Sequence, residues 1–258
     1  MSHLLKLQHA GELLERLELA IKGREEDNAY RPSVILNRHT GQHVIRMKYH
    51  PIPAGWGVDI GDILFNLRAS LDYLIYELAV IHQGRALTED EASKTAFPVY
   101  EFDPTEPSAV KTRRKDIERR LGLLHPDAKA VVLDFQPYTL SDYRESIVWV
   151  LHTLNNIDKH RSLNVIVSAL ASSEFRLLGS GTVDWVLPIP SGGFTLQEDT
   201  ILARFTAKRD VKVEIDIRGA DCFDEPLLLH KPSPVGAGLR LIFDSIKDWL
   251  LPRFAPFL

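Results

Sequence analysis

The sequence predicts an α+β protein, a central helical bundle packed on an antiparallel β-sheet. Two observations predict it. Apolar residues recur at helical spacing through most of the first 160 positions. After His160 the texture changes to short runs rich in β-branched residues, separated by glycine-containing turns. Helices and strands segregated along the chain point to α+β rather than to a wound parallel sheet. The organisation expected is one domain over 1–258: a helical part over about 1–160 with an early hairpin at 33–50, a sheet-rich part over about 161–230, and a C-terminal helix at 236–250.

The first element is an amphipathic helix. Leu4, Leu7, Leu14, Leu17 and Ile21 share a face, and Lys6, His9, Glu12, Glu15 and Arg16 interrupt the leucines. A signal peptide needs an unbroken apolar stretch, so the reading is a cytoplasmic protein. Nowhere do about 18 apolar residues run together, so no membrane span is expected. Val34-Ile35-Leu36, a polar connection ending at Gly41, and an extended run over Val44–Tyr49 predict a hairpin closed by Pro51 and Pro53.

Residues from about Val58 to His82 give the strongest helix. Ile60, Ile63, Leu64, Leu67, Leu71, Leu74, Ile75 and Leu78 form one stripe, and Phe65, Ala69, Tyr76 and Ala79 extend it around the cylinder. A helix apolar nearly all round is expected at the centre of a bundle. Past Pro98, Pro104 and Pro107 comes a basic helix at 109–124, then one opened by Pro126. Gln136-Pro137-Tyr138 breaks that helix. Ser141, with Glu145 behind it, is read as the cap of a helix running to about Asp158.

Strands are expected over Leu163–Val167, Phe175–Leu178, Val183–Leu187, Ile201–Thr206 and Val211–Ile217, with turns at Gly179, Gly181, Gly192 and Gly193. The early hairpin is expected to join this sheet. Leu239, Ile242, Phe243, Ile246 and Leu250 define the buried face of the last helix. Cys222 is read as an incidental thiol in a polar loop.

Net charge is −4, so no global basic field draws in nucleic acid. A single cysteine excludes an internal disulfide, and no histidine or carboxylate spacing suggests a metal site or cofactor. Polar density concentrates in two patches. One is Asp62 to Tyr73, with Asn66, Arg68 and Asp72. The other is His152 to Arg161, with Asn155, Asp158 and His160. Arg68 and Asp72 are spaced i, i+4 on one flank of the apolar stripe, Asn66 and Tyr73 on the other. Asp158 continues the buried stripe of its own helix. A buried carboxylate needs a partner, and Arg68 is the expected one. Two readings follow. In one, Arg68, Asp72, Asn155 and Asp158 clamp two helices. In the other they floor a site in which His160 and Arg68 are the catalytic pair, with Asn66, Asp72, Tyr73, Asn155, Asp158 and Arg161 binding ligand. An arginine, a histidine and amides suit a phosphate or acid–base chemistry. The run 111–120 (KTRRKDIERR) is either a phosphate-facing helix or a solvated face.

N-L-R-x-x-L-D over Asn66–Asp72 and N-x-x-D-K-H-R over Asn155–Arg161 resemble a widespread family of bacterial proteins. Phe97-Pro98, Gln136-Pro137-Tyr138 and the early hairpin fit the same pattern. The resemblance covers most of the chain and implies a common fold without an activity. More distantly the chain is similar to HEPN domains, helical bundles found in toxin and defence ribonucleases. Their mark is an arginine followed a turn or so later by a histidine, which cleaves RNA without metal across a homodimer. Here Tyr73 stands where that histidine would follow Arg68. Arg120 and His125 match the spacing, but so many arginines and 10 histidines produce such pairs by chance. The resemblance implies a nucleic-acid-acting or defence protein with RNA as partner. Beside it stand a binding protein for a small anionic ligand, and a structural or interaction protein.

Overall fold

The computed structural model describes residues 1–27, 29–106, 111–160, 165–169, 174–178, 183–187, 194–195, 201–207, 212–216, 219–224 and 233–258. Helices and antiparallel strands segregate as expected, and the class is α+β. The chain forms two compact units. One comprises Met1–Leu17, Gly57–Leu163 and Gly236–Leu258, the other Glu18–Trp56 and Asn164–Val235.

The first unit is helical. Its elements are the start of α1 (Ser2–Glu26), then α2 (Trp56–Gln83), α3 (Glu89–Lys94), α4 (Lys111–Leu121), α5 (Pro126–Asp134), α6 (Ile147–His160) and α7 (Val235–Asp244). The chain after α7 continues as a π-helix over Ser245–Leu250 and a 3-10 helix over Leu251–Phe257. The α2 stripe is the core: Ile60, Ile63, Leu64, Leu67, Leu71, Leu74 and Ile75 are fully buried. The opposite side is less enclosed than its apolar content predicts, because Phe65, Tyr73 and Tyr76 are exposed. The Lys6 ammonium covers part of the Phe65 ring, 5.3 Å from its centroid. All five apolar residues expected to face inward from the last helix are buried. Gly11 admits the Phe243 ring, since a Cβ there would lie 3.0 Å from it.

α6 begins five residues later than Ser141 would start it. Asp142 accepts from the Arg144 backbone N–H at 3.0 Å and from its guanidinium at 2.9 and 2.8 Å. That local bonding favours a 3-10 turn at Tyr143–Glu145 over a helix. Ser146 becomes the cap, its hydroxyl accepting from the Trp149 N–H at 3.4 Å.

The second unit holds the sheets. β1 (Tyr30–Asn37) and β2 (Gln42–Tyr49) form the expected hairpin. Asn37 Oδ1 accepts from the backbone of His39 and Thr40, and Gly41 takes the left-handed conformation (φ +67°) that closes the turn. The later strands are β3 (Val165–Ala169), β4 (Glu174–Leu178), β5 (Val183–Leu187), β6 (Phe194–Thr195), β7 (Ile201–Ala207), β8 (Lys212–Asp216), β9 (Gly219–Phe223) and β10 (Ser233–Pro234). The hairpin does join them. β2 pairs antiparallel with β7, giving the order β1-β2-β7-β5. A second sheet runs β10-β9-β3-β6, and β4 pairs with β8. β9 is unexpected from sequence, and it corrects the reading of Cys222: the thiol is a fully buried strand residue, not part of a polar loop. Burial pushes its pKa up to about 11, so it is inert as a nucleophile. Leu163, Val211, Ile217 and the four predicted turn glycines lie outside the described residues.

The second unit also holds a buried ion pair that the sequence does not announce. Arg24, in the last turn of α1, donates through Nε to Asp221 on β9 at 3.1 Å; the two side chains are 8% and 0% exposed. Its other nitrogens donate to the carbonyls of Pro51, at 2.9 Å, and His50. The guanidinium also lies 5.5 Å from the centroid of the Tyr30 ring, whose phenol pKa is raised by burial and by Asp221.

Candidate functional site

α1 and α2 run antiparallel: Ser2 and His3 bond Glu77 while Lys6 bonds Asn66. α6 is also antiparallel to α2, because Asp158 meets Gly61 while His152 feels the charge of Arg68 two turns further along. This register corrects the expected Arg68–Asp158 pair. Asp158 does face α2, but at Gly61, seven residues and about 10 Å of helix before Arg68. It makes no ion pair among the described residues. Burial, and then the Asp62 carboxylate, push its pKa up.

A test follows from that geometry. A Cβ at position 61 would lie 2.5 Å from Asp158 Oδ2. Gly61→Ala is expected to destabilise by about 1 kcal/mol net, overpacking outweighing the helix propensity gained. Asp158→Ala alone leaves stability within about 0.5 kcal/mol and rescues Gly61→Ala. A loss near 3 kcal/mol for Asp158→Ala in thermal unfolding would restore the salt-bridge assignment.

Arg68 is held differently. It is 12% exposed, donates to Asp72 Oδ1 at 2.9 Å, and donates to the Phe97 carbonyl. Asp72 in turn accepts from the Phe97 N–H at 2.9 Å. The i, i+4 pair thus grips both polar groups of one buried residue, as a neighbouring strand would. Gln136 grips the continuation: its Oε1 accepts from Tyr100 N–H at 2.9 Å, and its Nε2 donates to the Pro98 carbonyl at 3.1 Å. The residues that carried the family resemblance here (Arg68, Asp72, Phe97-Pro98 and Gln136) form one clamp on the extended segment 97–100.

The remaining candidates separate. Asp72 and Tyr73 line a cavity of about 360 Å³ with Ser2, Tyr76, Glu77 and Thr95. Asn66 is buried between α1 and α2, accepting from Lys6 at 3.0 Å and donating to the Asp62 carbonyl at 2.7 Å. Asn155 is 2% exposed, and its Nδ2 finds no partner among the described residues; nor does Arg68 Nη1. Arg161 lies outside the described residues.

His160 is exposed, at the end of a second space. A groove of about 540 Å³ runs along α6, lined by Glu101, Trp149, His152, Thr153, Asn156, Ile157 and His160. His152, Asn156 and His160 recur at i, i+4 and i+8, which places them on one helix face. The spacing of His152 from His160 is the signal in the sequence for that shared face. Asn156 Nδ2 lies 2.9 Å from His152 Nε2, and the amide donates to the imidazole when the ring carries its proton on Nδ1. Burial, then the charges of Arg68 and Lys159, with a smaller share from Arg120, hold the His152 pKa below its usual value; Asp72 opposes them. Trp149 is buried at the groove wall, its indole N–H donating to Glu101 at 2.8 Å. In α4, Arg119 and Arg120 both pair with Asp116, and Glu118 pairs with Lys129 on α5.

No protein-family model, curated protein or solved structure matches this chain. No metal-competent cluster of three histidine, cysteine or carboxylate residues occurs among the described residues. No described helix is long and apolar enough to cross a membrane.

Proposed function

We propose that this protein binds a small anionic ligand, a phosphate or carboxylate on a compact organic body, in the groove along α6, and does so without turnover. One observation carries the reading: the groove presents His152, Asn156 and His160 on one face of α6, and the charges of Arg68, itself paired with Asp72, and of Lys159 reach the imidazole. Burial is the larger cause of the lowered His152 pKa, and the cationic share beside it attracts an anion to the same place. His160, Asn156 and Thr153 supply hydrogen-bonding groups along the groove. Arg68 contributes charge from behind while its guanidinium grips Phe97.

Helix geometry favours binding over catalysis. His152 and His160 are eight residues apart, about 12 Å along the axis. That is too far for both to serve one phosphate as acid and base. A metal-free ribonuclease of HEPN type is the second reading, favoured by the exposure of His160 beside an open groove. Two features weaken it. Trp149 is buried and bonded to Glu101, so it offers no open stacking face, and the described charges of α4 are largely paired within the protein.

The test is calorimetric titration with inorganic phosphate, AMP and citrate, beside incubation with a mixed-sequence RNA pool in EDTA. A bound anion favours protonated His152. Affinity is therefore expected to rise with proton uptake as pH falls below the usual histidine range, because the His152 pKa is depressed in the free protein. His152→Ala should weaken binding about tenfold, the worth of one charge-assisted hydrogen bond. The same depressed pKa costs the free protein stability on acidification. The unfolded chain takes up its proton near pH 6.5 and the folded one only lower, so stability falls as pH drops through that window. RNA cleavage in EDTA that His160→Ala abolishes would replace the binding reading with the nuclease. No heat with any of the three anions, and no cleavage, would remove both.

A further inference from the structure

A third space, in the helical unit and separate from the α6 groove, has different chemistry. A groove of about 450 Å³ lies between the chain that links α5 to the start of α6 and the C-terminal helix. Its apolar lining includes Leu140, Leu241 and Trp249, which are 44%, 57% and 77% exposed. Exposed apolar residues are ordinary singly; three such residues lining one groove are not. Four carboxylates share that lining (Asp134, Glu145, Asp244 and Asp248), and among the described residues no lysine, arginine or histidine does. Asp134 faces Arg253 at 3.5 Å and Asp244 faces Arg240 at 3.9 Å, while Glu145 and Asp248 make no ion pair among the described residues.

The backbone adds an independent observation. Ser245–Leu250 is a full turn of π-helix, and Ser245, Ile246, Asp248, Trp249 and Leu250 all line the groove. π-Geometry is rare and occurs frequently at functional sites. The wider turn sets Ile246 and Leu250 into the core while Trp249 projects into water. An indole 77% exposed contributes little to its own fold, but an aromatic of that size at an acidic-rimmed groove is a suitable anchor for a partner.

We propose that this groove docks a basic amphipathic helix from a partner protein. Leucine-sized anchors at i, i+3/i+4 and i+7 would fill the apolar floor against Trp249 and Leu241. Lysine or arginine flanks would meet Asp248, Glu145, Asp244 and Asp134. An apolar stripe bordered by cations is the complement that an apolar floor bordered by carboxylates selects.

The experiment uses the full chain and a synthetic helical peptide of leucine and lysine in amphipathic register, with a control in which every lysine is glutamate. Binding is read by calorimetry and by tryptophan emission, compared with a Trp249→Phe variant. The leucine–lysine peptide is expected to bind and to shift the emission to the blue, a shift that Trp249→Phe removes. Leu241→Glu and the double variant Asp244→Lys/Asp248→Lys should each weaken binding at least tenfold, and both variants keep the parent melting temperature because the side chains lie at the surface. Equal binding of the glutamate peptide would overturn the proposal, as would undiminished binding to the variants. A groove that takes a simple alkylamine while refusing the peptide would overturn it too, and assign a small-molecule site instead.

Discussion

Arg24→Ala and Asp221→Ala are each expected to lower stability by about 3–5 kcal/mol, the cost of leaving one half of a buried ion pair without the other. Asp221 is fully enclosed, and the Arg24 guanidinium serves three acceptors from its three nitrogens: Asp221 and the carbonyls of Pro51 and His50. Alanine at 24 strands the Asp221 carboxylate, while the carbonyls of His50 and Pro51, at exposed positions, pass to water. Alanine at 221 strands a guanidinium that keeps only the carbonyls. Arg24→Lys should rescue little, since one ammonium cannot span that fork. The double variant Arg24→Met/Asp221→Leu should be less damaged than either single alanine variant, because no charge is left buried. The measurement is denaturant unfolding of the four variants. Single-alanine losses below about 1 kcal/mol would mean that the pair is hydrated and carries no weight.

Position along the chain explains why that pair was invisible in the sequence while the Arg68–Asp72 pair was not. Arg68 and Asp72 are four residues apart on a helix whose period is plain from its leucines, so their proximity follows from geometry alone. Arg24 and Asp221 are 197 residues apart, and they meet only because the end of α1 and β9 come together in the second unit. Local periodicity made the α2 stripe, the buried face of α7 and the β1–β2 hairpin legible. That the hairpin joins the later strands followed from the need of a two-stranded ribbon for further partners; that β2 meets β7 did not. Register between helices was not legible. The stripe of α6 correctly turned Asp158 toward α2, but nothing in the sequence says which turn of α2 it meets, and the structure places it at Gly61. The glycine was the signal: in the middle of a strong helix it marks a close approach by something else. The groove carrying Trp249 was hidden for another reason. At 3.6 residues per turn Trp249, seven residues after Ile242, falls on the buried stripe, but it lies in the π-turn and is exposed.

Asp72→Ala is expected to be more damaging than Arg68→Ala, and that order distinguishes a clamp from a catalytic pair. Arg68→Ala removes a guanidinium whose pKa burial already lowers and takes the donor from the Phe97 carbonyl, but leaves no charge buried: Asp72, one-third exposed, takes water in its place while still accepting from Phe97 N–H. The expected loss is about 2–3 kcal/mol, less than for a fully buried pair because the remaining carboxylate is one-third exposed. Asp72→Ala leaves the Phe97 N–H without its acceptor and Arg68 as a buried cation with one carbonyl, and about 3–5 kcal/mol is expected. Hydrogen exchange gives the local reading. The Phe97 amide should lose protection beyond the global change in Asp72→Ala and keep it in Arg68→Ala, while Tyr100, held by Gln136, keeps its own in both. If Arg68→Ala left the melting temperature unchanged, the arginine would not be a structural clasp. Its place beside a helix that also carries His152 would then argue for a direct part in ligand chemistry.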